Sequence, residues 1–337
     1  MGACVWADRV GRRVAVRHRL PAGGATDVVG RLVAVSDTEL VVDGRAGPVR
    51  VPLVDVVAGK VVPPRPVRVA PPHRALAVAD LEEVLALHWQ PLEGERLGGW
   101  LLRASGGFTN RANSVLPLGD PGLPLIDALD AARAWYAARD LAARLSLPGP
   151  ADGGPDPTDP FPGLRAAVAQ AGWAVLPDAG ALVLTAATAE QAGDRVHLPA
   201  PLRLALAGEP DAAWLAGYRY RGQDLPTYAI ALLTSAPEQV FASVLDGEDT
   251  VAVARGSLAG GWAGLTAVEV ADGYRRRGLA RALLAAVAGW AAARRARSIY
   301  LQVSDANAGA QRLYLSAGFA VHHRYDYLQA GLQTRGP

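Results

Sequence analysis

Polar and apolar positions alternate on a short scale near the amino terminus, where valine-rich runs at 13–18, 28–35, 40–43 and 49–57 are broken by Gly, Asp and Pro. A period of two in β-branched residues predicts strands, and strands and loops this short predict a small closed β-barrel over residues 1–62. Pro63, Pro64, Pro66, Pro71 and Pro72 withhold amide donors, so residues 63–79 read as a stiff linker. At Asp80 the spacing becomes helical, and Asp80-Leu81-Glu82-Glu83 reads as a cap and first turn. Strands at 100–103 and 112–116 then flank a turn at 106–110. After them comes a helix with Leu125, Leu129, Ala132 and Tyr136 on one stripe. A strand at 143–147, a Pro/Gly/Asp-rich insertion at 148–162 and a helix at 163–171 ending at Gly172-Trp173 complete this stretch.

The last third repeats the pattern. Small and β-branched residues at 263–270 predict a strand, and Leu279, Leu283, Val287 and Trp290 predict a helix over 279–294. A strand at 298–303 and a helix at 308–317 lead to Gly318-Phe319. Trp135 and Arg139 align with Trp290 and Arg294 at one offset. Ala171-Gly172-Trp173 aligns with Ala317-Gly318-Phe319 once the longer insertion is allowed for. An internal repeat of one α/β unit accounts for this, with halves over 80–205 and 206–330.

Candidate chemistry sits where the strand at 263–270 passes through Arg275-Arg276-Arg277-Gly278-Leu279-Ala280 into the long helix. Unpaired amides at a helix start point outward and the macrodipole adds positive potential, which together make an anion site. Gly278 lets a ligand approach the backbone and Ala280 keeps the first turn narrow. Arginines around the turn can clasp phosphate oxygens. The plain alternative is that three arginines solvate a helix start.

Arg275-x-x-Gly278-x-Ala280 is followed by Leu301-Gln302-Val303, Asn307, Ala310, Leu313-Tyr314 and Gly318-Phe319. Over about residues 259–321 this arrangement resembles the GNAT superfamily of acyl-CoA transferases. The resemblance implies an α/β fold with a mixed sheet and acetyl-CoA as co-substrate. It also implies a primary amine, on a small molecule or a protein, as acceptor. Arg275, Arg276, Arg277, Gly278, Leu279 and Ala280 would hold the pyrophosphate. The strand ending near Val270 would splay from the next, so that amides of Val268 and Val270 receive the pantetheine arm and the thioester carbonyl. Tyr314 would protonate the departing thiolate, and Asn307 would either bond to the coenzyme or only cap its helix. Glu269 is the leading general base, although strand alternation points it away from the faces of Val268 and Val270. Gln302 stands where some relatives carry glutamate, so Asp246 and Glu248 stay in view. The first half reads Leu118-Gly119-Asp120-Pro121-Gly122-Leu123-Pro124 at the matching place, which resembles the degenerate half of tandem GNAT proteins from actinobacteria. The barrel resembles the SH3-like modules that precede such units. Residues 106–114 either line the acceptor cleft or form a polar hairpin.

Composition bounds the remaining classes. Of 337 residues, 50% are apolar and 20% charged, with a net charge of +2. That supplies no general attraction to nucleic acid. The arginines of the barrel are offset by Asp27, Asp37, Glu39, Asp43 and Asp55, so nucleic acid is not an expected partner. Cys4 is the single cysteine and no Cys/His cluster has ligand spacing, so no metal is expected. No 18-residue apolar run is free of charge and the first residues lack the core of a signal peptide, which reads as a cytoplasmic protein with no membrane partner. A second function class is a non-catalytic acyl-CoA sensor that signals through the barrel.

Overall fold

Alternating burial along five antiparallel strands builds the amino-terminal unit, Met1–Val69. They are β1 (Arg13–Arg19), β2 (Ala25–Val35), β3 (Glu39–Gly44), β4 (Gly47–Pro52) and β5 (Val56–Val61), in the order β4-β3-β2-β1-β5. Val14, Val16, Leu32, Leu40, Val42 and Val51 form the core face. The run at 49–57 is not one strand. Pro52 ends β4, and a 3-10 turn at Leu53–Asp55 carries the chain to pair with β1 at the opposite edge. Among the described residues no ladder joins β4 to β5. The expected closed SH3-like barrel is therefore corrected to an open five-stranded sheet.

The computed structural model describes residues 6, 9–21, 23–44, 47–62, 71–150, 161, 163–193, 198–219 and 224–331. Cys4, residues 63–70 of the linker and residues 151–160 and 162 of the predicted insertion lie outside them. Among the described residues no helix is long and apolar enough to cross a membrane, and no acidic, histidine and cysteine cluster could hold a metal.

The second unit, Ala70–Pro337, begins with α1 (Val78–His88), β6 (Glu93–Leu97), β7 (Trp100–Ala104), β8 (Leu116–Pro117) and α2 (Leu125–Ala137). It continues through β9 (Arg144–Gly149), α3 (Leu164–Gln170), β10 (Trp173–Val175), β11 (Ala181–Ala187), α4 (Thr188–Ala192) and β12 (Arg203–Ala207). Then come α5 (Ala212–Gly217), α6 (Ala229–Leu233), β13 (Glu238–Asp246), β14 (Asp249–Ala259) and β15 (Trp262–Val270). It closes with α7 (Leu279–Ala293), β16 (Ser298–Ser304), α8 (Ala308–Ser316) and β17 (Ala320–Ala330). Asp80 sits in the first turn of α1 rather than capping it, because the helix starts at Val78 without a side-chain cap. The strand expected at 112–116 reduces to Leu116–Pro117, since the residues before it are folded into a buried loop.

The same trio occurs twice in this unit. Arg139 lies 3.6 Å from the Trp135 ring centroid and its Nε donates to Glu93 at 2.9 Å. Arg294 lies 4.6 Å from the Trp290 ring centroid and its Nε donates to Glu238 at 3.1 Å. In each case a helix end is tied to the first residue of a strand by an arginine sandwiched between an indole and a carboxylate.

A nine-stranded sheet runs in the order β10-β17-β11-β16-β15-β14-β13-β12, with β9 also pairing β17. Strand β11 lies between β16 and β17, antiparallel to both. The later residues of β17 pair in return with β9 and β10. Strands from before and after residue 205 therefore alternate in one continuous ladder. The main core lies between α7 and this sheet, around Leu283, Leu284, Val287, Ala254, Ala263 and Ile299.

Candidate active site

Strand β15 pairs with β16 in parallel only from Trp262–Ser298 to Leu265–Leu301. The separation follows from a bulge. The register with β14 shifts between Val253 and Arg255, and Ala267, facing that shift, has φ 53°. A residue with a Cβ in the left-handed region is strained and persists because the surrounding ladder holds it. Past the bulge, the Ala271 N–H donates to the Val251 carbonyl at 2.9 Å, and Glu269 faces Val253. Backbone alternation then turns the N–H groups of Val268 and Val270 away from β14, toward the opening beside β16.

A cleft of about 860 Å³ fills that opening and extends to the start of α7. Val268, Glu269 and Val270 line its inner end, and Arg275, Arg276, Gly278, Leu279 and Ala280 line its outer end. Gly278 is the N-cap residue at φ 82°, no side chain caps the helix, and a Cβ there would meet no atom within 4 Å. The first helical bonds run from Arg281 and Ala282 to the Gly278 carbonyl. The amides of Leu279 and Ala280 therefore lack helical acceptors, and both residues line the cleft. Arg281 and Arg312, which sequence reasoning missed, also line it. Both lie near helix starts, the signal that could have singled them out.

Arg275 folds back along the strand: its Nε donates to the Val270 carbonyl at 3.2 Å, and it pairs with Asp272 at 2.8 Å and Glu269 at 3.6 Å. Arg277 does not line the cleft but stacks on Tyr274, 5.0 Å from the ring centroid. The Tyr274 hydroxyl in turn donates to Asp246 at 2.7 Å. Asp246 and the exposed Glu248 both lie outside the cleft. Glu269 lies in it, with its pKa raised by burial against the lowering effects of Arg275 and of a hydrogen bond from the Val270 N–H.

Tyr314 on α8 enters the cleft from the core side, edge-on to Phe319 with centroids 5.8 Å apart. Burial raises its pKa above the ordinary phenol value, so it stays protonated at neutral pH. Asn307 caps α8, its Oδ1 accepting from the Ala310 N–H at 3.0 Å, and also lines the cleft.

The splay opens a second cavity of about 300 Å³, lined by Thr266 and Ala267 from β15 and by Gln302 and Ser304 from β16. The loop at 106–114 closes it with Thr109, Asn110 and Arg111. This loop is no solvated hairpin, because Phe108, Thr109, Ala112, Asn113 and Ser114 are all buried. The Asn113 amide holds it together: Oδ1 accepts from the Ser105 and Gly107 N–H groups at 2.7 and 2.9 Å, and Nδ2 donates to the Phe108 and Thr109 carbonyls at 2.8 Å. All four hydrogen-bonding directions of that side chain are used inside the loop that carries Arg111.

Comparison with known proteins follows this division. Residues 77–328 match the family described as "Probable histone acetyltransferase Rv0428c C-terminal". Residues 8–60 match "Rv0428c N-terminal Sm-like domain", which puts Sm-like in place of the SH3-like expectation. The chain is 35% identical to the protein named "Probable histone acetyltransferase Rv0428c" from Mycobacterium tuberculosis, over 95% of this chain and 95% of the relative. Among solved structures, the fold is similar to a GCN5-related N-acetyltransferase from Kribbella flavida, with TM-score 0.53 and 17% identity over 76% of this chain and 94% of the other. It is also similar to a tandem GNAT protein from the clavulanic acid biosynthesis pathway, with TM-score 0.54 and 15% identity over 78% and 91%. The chain thus belongs to the Rv0428c family, an N-acetyltransferase with an Sm-like amino-terminal domain ahead of a mixed α/β unit of GNAT fold.

Proposed function

We propose that the chain transfers the acetyl group of acetyl-CoA directly to a primary amine, and that its second unit is a tandem of GNAT-like parts over 80–205 and 206–330. Only the later part holds coenzyme. The observation that carries this reading is the cleft itself, which joins uncapped amides and arginines at the start of α7 to the splayed edge of β15 and to Tyr314. At the matching place in the first part, α2 starts from Pro124, and Asp120 occupies the turn before it. A carboxylate and prolines there repel a diphosphate and withhold amides.

The first-turn amides with Arg275 and Arg276 hold the diphosphate, and the thioester end of acetyl-CoA reaches the Val268 and Val270 amides. When an amine attacks the carbonyl carbon, the developing oxyanion is stabilised by these strand-edge N–H groups, the Val270 N–H exchanging the Glu269 carboxylate for it. As the tetrahedral intermediate collapses, the carbon–sulfur bond breaks and Tyr314 hands its proton to the thiolate. Glu269 takes the amine proton. A diphosphate competes with Glu269 for Arg275, so coenzyme binding loosens the 3.6 Å ion pair and releases the carboxylate to act. The M. tuberculosis relative is named for a protein acceptor, and the amine of this chain's acceptor reaches the thioester through the cavity at Arg111.

The test is to titrate acetyl-CoA calorimetrically into the full chain and then to follow free thiol with pooled amines, identifying products by mass. Coenzyme binding with amine-dependent thiol release is expected. Absence of binding removes the site, and binding without thiol release from any amine marks an acyl-CoA sensor instead.

A further inference from the structure

The cavity beside the splay carries charge of one sign. Arg111 lines it with its Nε buried and without a hydrogen-bond partner, and the buried Oε1 of Gln302 likewise has none. Among the described residues lining the cavity there is no aspartate or glutamate. Behind the lining, Arg255 is fully buried: it donates to the His88 carbonyl at 3.0 Å and to the Thr266 hydroxyl at 3.3 Å. Arg103, also buried, donates to the carbonyl and hydroxyl of Ser114 at 2.9 Å. None of the three arginines has a carboxylate partner among the described ion pairs. The nearby buried carboxylate, Glu82, is taken by His323 at 2.8 Å. A buried cation without a counter-ion is costly, and an anion brought by a ligand relieves that cost.

The setting of Arg111 suits a planar anion. Its guanidinium lies 5.6 Å from the centroid of Trp89, and that of Arg255 lies 5.2 Å from the same ring. Arg111 is hydrogen-bonded to Tyr325, and the Glu82 carboxylate favours its charge against burial. The loop that presents it is fixed by Asn113. At about 300 Å³ the cavity has the size of a small metabolite and not of an extended peptide.

Resting on the acetyl-transfer reading, we propose that this cavity is the acceptor subsite and that it selects small amines bearing a carboxylate, which Arg111 grips while the amine faces the thioester across Ala267. A lysine in a basic protein tail is the wrong substrate. It brings further cations to a cavity that has an arginine and no acid, and like charges in a desolvated site are rejected.

Binding and turnover separate the two ideas. Glycine, β-alanine and γ-aminobutyrate, their carboxamides, the matching aminoalkylphosphonates and a lysine-rich peptide are titrated into the full chain saturated with free coenzyme A, which cannot acetylate. At least one carboxylate amine is expected to bind roughly tenfold to hundredfold more tightly than its carboxamide, the worth of one charge-assisted hydrogen-bond pair. A phosphonate matching the best carboxylate would widen the ligand class to anions in general and leave the Arg111 assignment standing. Arg111→Gln should erase the preference, while Arg111→Lys, which keeps the charge but not the fork, should retain part of it. No carboxylate-dependent binding anywhere in the series overturns the proposal, as does tighter binding of the basic peptide. Thiol release from acetyl-CoA with the same panel then reports on acetyl transfer. Selective binding without release sinks the transfer reading alone, and release that ignores the carboxylate sinks the subsite alone.

Discussion

Gly278 offers the sharpest test of the coenzyme site because fold and binding respond to it differently. At φ 82° an ordinary L-residue costs about 1–2 kcal/mol, whereas asparagine tolerates this region with little penalty. A Cβ at Gly278 meets no atom within 4 Å, so Gly278→Asn adds no clash to the fold. Its side chain instead stands in the cleft in front of the first-turn amides. Charge-assisted hydrogen bonds are worth about 1.5–3 kcal/mol each, so blocking two costs about 3–6 kcal/mol and lowers coenzyme affinity by roughly 10² to 10⁴. Stability falls by less than about 1 kcal/mol, a shift in Tm of no more than about 4 °C for a unit of this size. Calorimetric titration of coenzyme A with parallel thermal unfolding checks both numbers. If Gly278→Asn folds normally and binds coenzyme within about tenfold of the parent, the helix start is not where the diphosphate sits.

Other residues give independent expectations. Tyr314→Phe should lower kcat by roughly 10²-fold with coenzyme affinity nearly unchanged, and an undiminished kcat at the optimal pH would dismiss the phenol as the acid. Glu269 must be deprotonated to act, and burial raises its pKa. The acidic limb of kcat/KM should therefore lie above the usual carboxylate range and vanish in Glu269→Gln, and a limb unchanged in that variant would assign it elsewhere. His88 has its pKa lowered to about 3 by burial, with Arg255 contributing, from 6.5 when unfolded. The unfolded chain thus binds the extra proton first, so this group's stabilisation is complete above about pH 6.5. It is lost at about 1.4 kcal/mol per pH unit as pH falls toward 3. The stability difference between parent and His88→Gln, measured by urea unfolding across that range, should show this slope, and a flat difference would refute it.

Local geometry was readable in the sequence wherever one short segment carried it. The strand at 263–270, the basic glycine turn and the helix after it form such a unit, and they lie together in the cleft. So do the indole and guanidinium pairs of α2 and α7, whose spacing is fixed by the helix itself. Features set by distant partners were not readable. Glu269 shares a cleft with Val268 and Val270 because pairing with β16 stops at Leu265 and leaves this strand's edge open, and alanine gives no warning of the positive φ at Ala267. The loop at 106–114 looks polar in sequence, yet Asn113 spends its polarity inside the loop. The closed barrel failed on one three-residue turn, Leu53–Asp55, which sends β5 to the far edge.

The place of β11 between β16 and β17 went unseen for the same reason, and it yields a prediction about residues 206–330. A chain of residues 206–330 contains every residue lining the coenzyme cleft but lacks β11. In the intact protein β11 satisfies backbone groups of both β16 and β17 and places Val183 and Leu184, both fully buried, in the sheet. Losing two such side chains forfeits about 3–6 kcal/mol. Two newly unpaired edges are also left facing each other, against a total stability on the order of 5–15 kcal/mol. The excised segment should therefore show no cooperative unfolding and should aggregate. Because β11 runs antiparallel to β17, residues 181–187 appended after β17 through a short turn should restore both folding and coenzyme binding. Cooperative unfolding and parent-like coenzyme affinity in residues 206–330 alone would show that β11 is dispensable. The two parts would then be independent domains rather than one interlocked body.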